Sequence, residues 1–429
     1  MLRANSNHPN RRIALIDCNN FYASCERVFK PAWNKRPIGV LSNNDGCIIA
    51  RSDEVKQAGI PMGAPYFKYR EALNAINAVV VSSNYILYGD MSTRVMHTLN
   101  DLVPDMEIYS IDEAWLDLTG IEANHLDGFA RGLVETTRRN TGIPVSIGIG
   151  PGKVLAKIAN RICKQRKIPG SVLNLADAEN LQAVLATVEI RDVWGIGRRW
   201  AQKLQQDGIH TALALRDADI CRMRTRYGVV MERLIRELRG TACLDFEDIQ
   251  PKQQIIASRS FGRRVTAKED LAEALALHAT RAGEKLRQQN STCGAIQIHI
   301  ETSKQSQREN YFRPSILISF PVATADTRKL IRATRQGLDR IYQPGKRYAK
   351  AGVMLYEIVS DKKLQESLFE PSDSVKTRTL MTLADQINRE RGKHTLFYAA
   401  EGIHQTWAMK SDNRTPAYTT RWDALPVAR

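Results

Sequence analysis

The segment Met106-Glu107-Ile108-Tyr109-Ser110-Ile111-Asp112-Glu113-Ala114-Trp115-Leu116-Asp117-Leu118 constrains the fold of this chain more than any other. Apolar and polar residues alternate on both sides of Asp112-Glu113, so the segment reads as two short strands joined by a tight turn carrying two adjacent carboxylates. Two acids at the tip of an apolar hairpin repel each other, and a divalent cation is the usual way to make that arrangement favourable. A third candidate ligand lies upstream, where the apolar run Ile13-Ala14-Leu15-Ile16 ends in Asp17. If the two strands lie side by side, three carboxylates meet at one sheet edge. Oxygen-only ligands favour Mg²⁺, and two such ions roughly 3.5–4 Å apart would activate an attacking oxygen and stabilise a leaving one in phosphoryl transfer. An isolated Asp-Glu pair is more often a solvated turn, so its surroundings decide.

Those surroundings are basic. The 429 residues carry a formal charge of +16, and 43% of them are hydrophobic, enough for several cores and too many for one ordinary domain. The charge suggests a polyanionic partner, nucleic acid or an anionic membrane surface. Its distribution favours nucleic acid, because residues 252–350 hold nineteen Lys and Arg against eight Asp and Glu in a segment with the periodicity of a folded domain. From Arg138 to Gly170 there are eight Lys and Arg and no acid, which places something anionic near the acidic hairpin. Seven cysteines, an odd number with no Cys-x-x-Cys pair, argue against a disulfide framework and a zinc module and fit a reducing cytoplasm. No stretch approaches about 18 consecutive apolar residues and Met1–Arg12 is polar, so neither secretion nor a membrane span is expected.

Along the chain, residues 11–30 read as strand then helix, with Asp17 at the strand end and Phe21-Tyr22 opening the helix; a core position suits Phe21. Residues 31–82 are rich in Gly, Pro, Asn and Asp and show one convincing short helix, 53–58. A helix over 84–102, the hairpin, a helix near 126–140, a buried strand at 144–150 and a helix from about 152 follow. Short helices fill 181–248, where Val193-Trp194-Gly195-Ile196-Gly197-Arg198-Arg199 fits the turn of a helix-hairpin-helix, whose glycines let backbone N–H groups approach a phosphate. Residues 253–360 read strand 255–263, helix 268–289, strand 295–302, strand 315–320, helix 324–342, strand 352–358, a split β-α-β-β-α-β order. Sheet periodicity is lost beyond Ser360.

Three segments taken together, Asp17-Cys18-Asn19-Asn20-Phe21-Tyr22-Ala23-Ser24-Cys25-Glu26, Leu41-Ser42-Asn43-Asn44-Asp45-Gly46-Cys47 and Tyr109-Ser110-Ile111-Asp112-Glu113-Ala114, resemble the Y-family translesion DNA polymerases, most closely the UmuC-type catalytic subunits of bacterial DNA polymerase V. The similarity runs in order from about residue 11 to the C-terminus. It implies an α/β (α+β) multidomain right hand: palm at 1–30 and 83–180, small fingers at 31–82, a helix-hairpin-helix thumb at 181–250, a βαββαβ little finger at 251–360, and a partner-binding region at 361–429.

The resemblance also assigns residues. Asp17, Asp112 and Glu113, with the backbone carbonyl near Cys18, would hold two Mg²⁺ ions. Tyr22 would be the steric gate that leaves no room for a ribose 2′-hydroxyl, and Phe21, Tyr22, Lys56 and Lys164 would line the triphosphate site. Lys153 and Lys157 are weaker candidates. Asp53 stands where the wider family has a tyrosine, so one phosphate contact is missing, which Arg51 could replace. Gly195, Gly197 and Arg198 would meet the DNA backbone. Gln365-Glu366-Ser367-Leu368-Phe369 resembles a sliding-clamp peptide, with Gln365, Leu368 and Phe369 as its anchors. Implied substrates and partners are primer-template DNA, deoxynucleoside triphosphates, UmuD′-like accessory subunits, a RecA filament and the clamp, with no membrane. The implied activity is low-fidelity, template-directed lesion bypass in the SOS response. A nucleotide cyclase shares the carboxylate palm but needs neither the Gly-x-Gly turn nor a basic duplex-binding domain. A catalytically silent DNA-binding repair regulator is the other alternative, against which intact Asp17, Asp112 and Glu113 argue.

Overall fold

The computed structural model describes residues 11–176, 178–247, 250–304, 310–363, 365 and 367–425. The chain divides into two compact units, one formed by Met1–Ser42, Gly46–Asp248 and Asn413–Arg429, the other by Asn43–Asp45 and Ile249–Asp412.

In the first unit β1 (Ile13–Cys18) passes through Asn20, held at φ 49°, into α1 (Phe21–Phe29). A small sheet follows, made by β2 (Ile38–Leu41), β3 (Ile48–Arg51) and, after α2 (Asp53–Gln57) and α3 (Tyr66–Ala75), β4 (Val79–Ser82). In it β2 lies between β3, antiparallel, and β4, parallel. The chain continues through α4 (Tyr85–Asn100), β5 (Asp105–Ile108), β6 (Glu113–Asp117), α5 (Ala123–Thr141), β7 (Val145–Gly150), α6 (Lys153–Arg166) and β8 (Val172–Asn174). These complete a five-stranded sheet in the order β5-β6-β1-β7-β8.

The central place of β1 explains its composition. Ala14 and Ile16 join Leu87, Met91, Leu126 and Leu133 in one core, while Ile13 and Leu15 pack with Trp115 and Ala156 in another. A strand covered on both faces reads as a continuous apolar run rather than an alternation. Each such Ile or Leu, fully buried, contributes roughly 1.5–3 kcal/mol. The helix α6 lies flush on β7: a Cβ at Gly148 would come within 2.0 Å of the Asn160 backbone nitrogen. Glycine at that position therefore sets how closely α6, and every side chain it carries, approaches the sheet.

Five short helices form a separate cluster in the same unit: α7 (Leu181–Ala186), α8 (Arg198–Gln206), α9 (Ala212–Asp217), α10 (Ile220–Tyr227) and α11 (Val229–Leu238). Leu185, Ile196, Leu204, Leu215 and Ile235 pack there against Val154, Leu155 and Ile158 of α6.

The second unit contains β9 (Ile255–Val265), α12 (Lys268–Gln288), β10 (Ser291–Glu301), β11 (Ser315–Thr324), α13 (Thr327–Ile341), β12 (Tyr348–Ser360) and α14 (Val375–Glu390). Its antiparallel sheet runs β11-β10-β12-β9, and Ile296, Ile298, Val353 and Leu355 share a core with Leu271, Leu275, Leu330 and Leu338 of the two long helices. Arg287 clasps Asp385 with two bonds of 2.6 and 2.7 Å, tying α14 to α12. Burial pushes the His278 imidazole down to about 3 and that of His299 down to about 4, with Arg281 and Arg259 adding to the former and Lys350 and Arg313 to the latter.

The β-α-β-β-α-β order is as expected, with strands longer than their apolar cores suggest: β10 begins at Ser291, and β12 spans Tyr348–Ser360. Between residues 31 and 82 the expectation of one helix is corrected, since α3 and a three-stranded sheet are also present. Helix α3 buries Leu73 alone, so it has almost no apolar stripe to announce it. The acidic turn is also shifted: Glu113 is the first residue of β6, and Asp112 remains in the turn. Among the described residues no helix is long and apolar enough to cross a membrane.

Candidate active site

The register of the central strands brings the acids together. Asp17 on β1 pairs directly with Glu113 on β6, and the Cys18 amide donates to the Asp112 carbonyl at 2.8 Å. The turn is braced by Ser110, whose hydroxyl donates to the Asp112 carboxylate at 2.6 Å and accepts from the amides of Asp112 and Glu113 at 3.2 and 3.0 Å. One serine thus satisfies the backbone donors that two adjacent acids would otherwise leave open, and holds the Asp112 carboxylate.

Two lysines from one helix meet this cluster. Lys157 donates to Glu113 at 3.0 and 3.2 Å, and Lys164 forms an ion pair with Asp17. Lys157 also lies 4.7 Å from the centroid of Tyr109 and 5.6 Å from that of Trp194, an aromatic cradle that holds the ammonium in place. Despite Lys164, burial pushes the Asp17 carboxyl up to about 6, with the Glu113 and Asp112 carboxylates adding to the effect. Burial is the larger cause of this shift, and the Lys164 ammonium opposes it. Cys18 offers no thiolate: burial and the Asp17 carboxylate push its thiol far up, leaving its backbone as the available donor. Among the described residues no three His, Cys, Asp or Glu side chains converge as a preformed metal cluster; the lysine ammonium groups lie on the Asp17 and Glu113 carboxylates instead.

A cleft of about 630 Å³ opens on this site, lined by Asp17, Glu113, Lys157, Lys164, Arg161 and the turn from Arg191 to Gly197. Gly195 stands at φ 90°, a conformation that glycine adopts without strain, and Gly197 caps the first turn of α8. Arg198 is exposed beside it. The candidate phosphate-backbone turn and the carboxylates thus share one cleft.

The nucleotide-site candidates are placed differently from one another. The Phe21 side chain, at the start of α1, is 4% exposed and belongs to the core. Tyr22 is half-buried, with its ring stacked on Tyr88 at 4.4 Å and edge-on to Tyr85 at 6.1 Å. Lys56 is bonded to Asn20 and lies 3.3 Å from Asp53, which itself accepts from Asn20 at 3.0 Å. Arg51 is directed elsewhere: its guanidinium donates to the Ile60 carbonyl at 2.5 Å. Lys153, 4% exposed, is a structural residue bonded to Glu107 at 2.7 Å and to the Asp245 carbonyl at 2.8 Å. In the other unit Leu368 and Phe369 are 97% and 92% exposed; Gln365 is described, and Glu366 lies outside the described residues.

Three contributors escaped the sequence reading: Ser110, Asn160 and the aromatic group around Lys157. Asn160, buried, donates to the carbonyls of Leu15 and Ser146 at 3.3 and 2.7 Å, locking α6 to β1 and β7. A signal for it existed, because Lys153, Lys157, Asn160 and Lys164 recur at helical spacing on one face of α6.

Comparison with known proteins agrees with this architecture. Residues 16–161 match the impB/mucB/samB family, 252–368 match that family's C-terminal domain, and 378–428 match a domain of unknown function, DUF4113. Protein UmuC of Salmonella typhimurium is 45% identical over 417 residues, covering 96% of this chain and 99% of that protein. DNA polymerase IV of Brucella melitensis biotype 1 is 31% identical over 278 residues, 64% of this chain and 61% of its own. A Y-family DNA polymerase chimera of Dbh and Dpo4 superposes with a TM-score of 0.64 at 20% identity, covering 81% of this chain and 99% of that one. Fold and relatives define a DNA-directed DNA polymerase of the Y-family translesion class. Within that class, the chain belongs to the impB/mucB/samB family, among the UmuC-type proteins.

Proposed function

We propose that this chain extends primers across damaged templates, with low fidelity, by nucleotidyl transfer at the Asp17, Asp112 and Glu113 cluster. The observation that carries the reading is the direct pairing of Asp17 with Glu113 beside Asp112, in a cleft whose other wall is the Gly195–Gly197 turn. The pairing of Asp17 with Glu113, next to Asp112, fits a site that takes divalent cations. Asp17, Asp112 and Glu113, with the Cys18 backbone carbonyl, would hold two Mg²⁺ ions. Such ions supply activation of the primer 3′-hydroxyl and charge stabilisation for the leaving pyrophosphate. The chain's own part is to position. Lys164 and Lys56 offer ammonium groups for the triphosphate, Tyr22 forms the wall beneath the sugar, and the amides at Gly195 and Gly197 with Arg198 hold the duplex backbone without reading its sequence.

In this reading the small sheet of β2, β3 and β4 with α2 and α3 acts as short fingers, the five-stranded sheet as palm, the α7–α11 cluster as thumb and the basic second unit as little finger. The resemblance to UmuC supports action in the cytoplasm during the SOS response, with UmuD′-like subunits, a RecA filament and the sliding clamp as partners. The exposure of Leu368 and Phe369 supports the clamp contact. The test is primer extension on undamaged and lesion-bearing templates with Mg²⁺ and all four deoxynucleotides, with and without the partner proteins. Asp112→Ala should abolish incorporation while leaving primer-template affinity nearly unchanged. Extension by that variant at close to the normal rate overturns the assignment, and a wild type inactive under every condition favours the silent-regulator alternative.

A further inference from the structure

The far C-terminal segment of the chain is built into the support of Tyr22. Asn413 closes a two-way pair with Ser82 at the end of β4: the Ser82 amide donates to the Asn413 carbonyl at 3.1 Å, and the Asn413 amide donates to the Ser82 hydroxyl at 3.0 Å. Asn84, 3% exposed and capping α4, turns its side-chain amide onto the carbonyls of Thr415 and Pro416 and the Thr415 hydroxyl, at 3.1, 3.2 and 3.1 Å respectively. Further on, Tyr418 is 3% exposed and stacks on Phe29 of α1, with centroids 4.8 Å apart and planes 8° from parallel. Segment 413–418 is therefore a strap anchored at both ends, crossing the seam between α1 and α4.

Beneath the middle of the strap lies Glu26, with no exposure. One of its carboxyl oxygens accepts from the Thr415 hydroxyl at 3.1 Å and from the Tyr88 hydroxyl at 2.7 Å. Among the described residues the second carboxyl oxygen has no hydrogen-bond partner. A buried carboxyl with so few donors is costly, and burial raises its pKa, so each donor it does have holds it firmly. Tyr88 is wholly buried, and its ring forms the stacked platform under Tyr22, with planes 13° apart. The connection is short and continuous: Thr415 to Glu26, Glu26 to Tyr88, Tyr88 to Tyr22.

We infer that the strap positions the sugar gate: Thr415, acting through Glu26 and Tyr88, sets the height of the Tyr22 ring and so the discrimination between deoxyribo- and ribonucleotides. This deepens the reading of Tyr22 as the gate and rests on it. A gate works by excluding a single hydroxyl, so its selectivity depends on placement at the ångström scale, where a misplacement of about 1 Å can change a rate by about 100-fold. Deoxynucleotide insertion has no such clash and tolerates a lowered ring. Thr415 and Tyr88 are positioning residues; neither is assigned contact with substrate.

The experiment is single-nucleotide insertion by the full-length chain, with kcat and KM measured separately for a matched deoxynucleotide and its ribonucleotide. The chains compared are wild type, Tyr22→Ala, Tyr88→Phe, Thr415→Val and Thr415→Ser. Thr415→Val keeps the shape of the strap but removes its hydroxyl donor, and Thr415→Ser restores that donor. Expected is a roughly tenfold loss of discrimination in Thr415→Val and Tyr88→Phe, carried by faster ribonucleotide insertion. Deoxynucleotide kcat/KM in Thr415→Val should stay within about twofold of wild type, and Thr415→Ser should return selectivity to the wild-type value. If Tyr22→Ala relaxes selectivity while Thr415→Val and Tyr88→Phe do not, the strap does not position the gate. If both nucleotides lose equally in Thr415→Val, the strap is a stability element and the inference falls. If Tyr22→Ala leaves the ratio unchanged, the gate reading itself fails and takes the inference with it.

Discussion

Asp17 and Glu113 stand opposite each other on antiparallel neighbours, and each carboxylate is met by a lysine from the same helix, Lys164 on Asp17 and Lys157 on Glu113. The helix can serve both because it lies flush on β7 at Gly148 and is locked there by Asn160. The geometry thus holds two acids and two counter-charges together in one cleft.

Burying Asp17 has a stability signature. The Asp17 carboxyl sits at about 6 in the folded chain against an ordinary 3.8, so the folded state binds the proton more tightly than the unfolded one. Its contribution to stability is fully present below pH 3.8 and lost as pH rises through about 6. At pH 7.5 without divalent metal, Asp17→Asn should therefore melt a few degrees higher than wild type while losing nucleotide incorporation by orders of magnitude. Added Mg²⁺ should raise the melting temperature of wild type and do little for the variant. Thermal melts with and without Mg²⁺, beside primer extension, check this; a variant less stable than wild type without metal would contradict the assignment.

Lys164→Ala and Lys56→Ala should lower kcat/KM for the nucleotide by about 10- to 100-fold, the worth of a charge-assisted contact of roughly 1.5–3 kcal/mol. Primer-template affinity should change far less. Steady-state insertion kinetics beside DNA-binding titrations separate the two roles, and an equal loss of DNA affinity would make these lysines duplex contacts.

The exposed pair Leu368 and Phe369 offers apolar anchors worth about 1.5–3 kcal/mol each when buried in a partner's pocket. The double substitution Leu368→Ala with Phe369→Ala should abolish binding to the sliding clamp and the synthesis it stimulates, while clamp-independent extension stays close to normal. A tether of this kind raises local concentration without altering chemistry. Survival of clamp stimulation in a binding and extension assay would remove the segment from this role.

The second unit should lose stability in mild acid. His278 is 1% exposed and neutral in the fold, held down to about 3 by burial and by Arg281 and Arg259, against 6.5 when unfolded. Its contribution is present above pH 6.5 and is lost as pH falls towards 3, by about 2 kcal/mol between pH 6.5 and 5. Calorimetry of the full chain from pH 7.5 to 5 should show that loss, and His278→Leu should remove part of the slope, leaving the share due to His299. Identical pH slopes in the two chains would exclude His278 as a source.

What the sequence determined by itself was whatever leaves a local period. The apolar run ending in Asp17, the alternation around Asp112-Glu113 and the strand and helix order from Ile255 to Ser360 each repeat on the scale of their own element, so period and turn chemistry identified them. The segments at Asp17 and at Asp112-Glu113, together with 41–47, carried the resemblance to Y-family polymerases. Helix α3, with Leu73 as its one buried residue, lacked that period and stayed invisible. Only the tertiary structure decided which distant groups meet: Lys164 with Asp17, Lys157 among Tyr109, Trp115 and Trp194, Arg51 on Ile60 rather than towards the site, and Thr415 on Glu26. The hydrogen bond between residues 26 and 415 leaves no trace in either local sequence, because it depends on where two separately folded segments come to rest. Periodicity reports which face of an element is buried; the packing of the whole chain selects the neighbour that buries it.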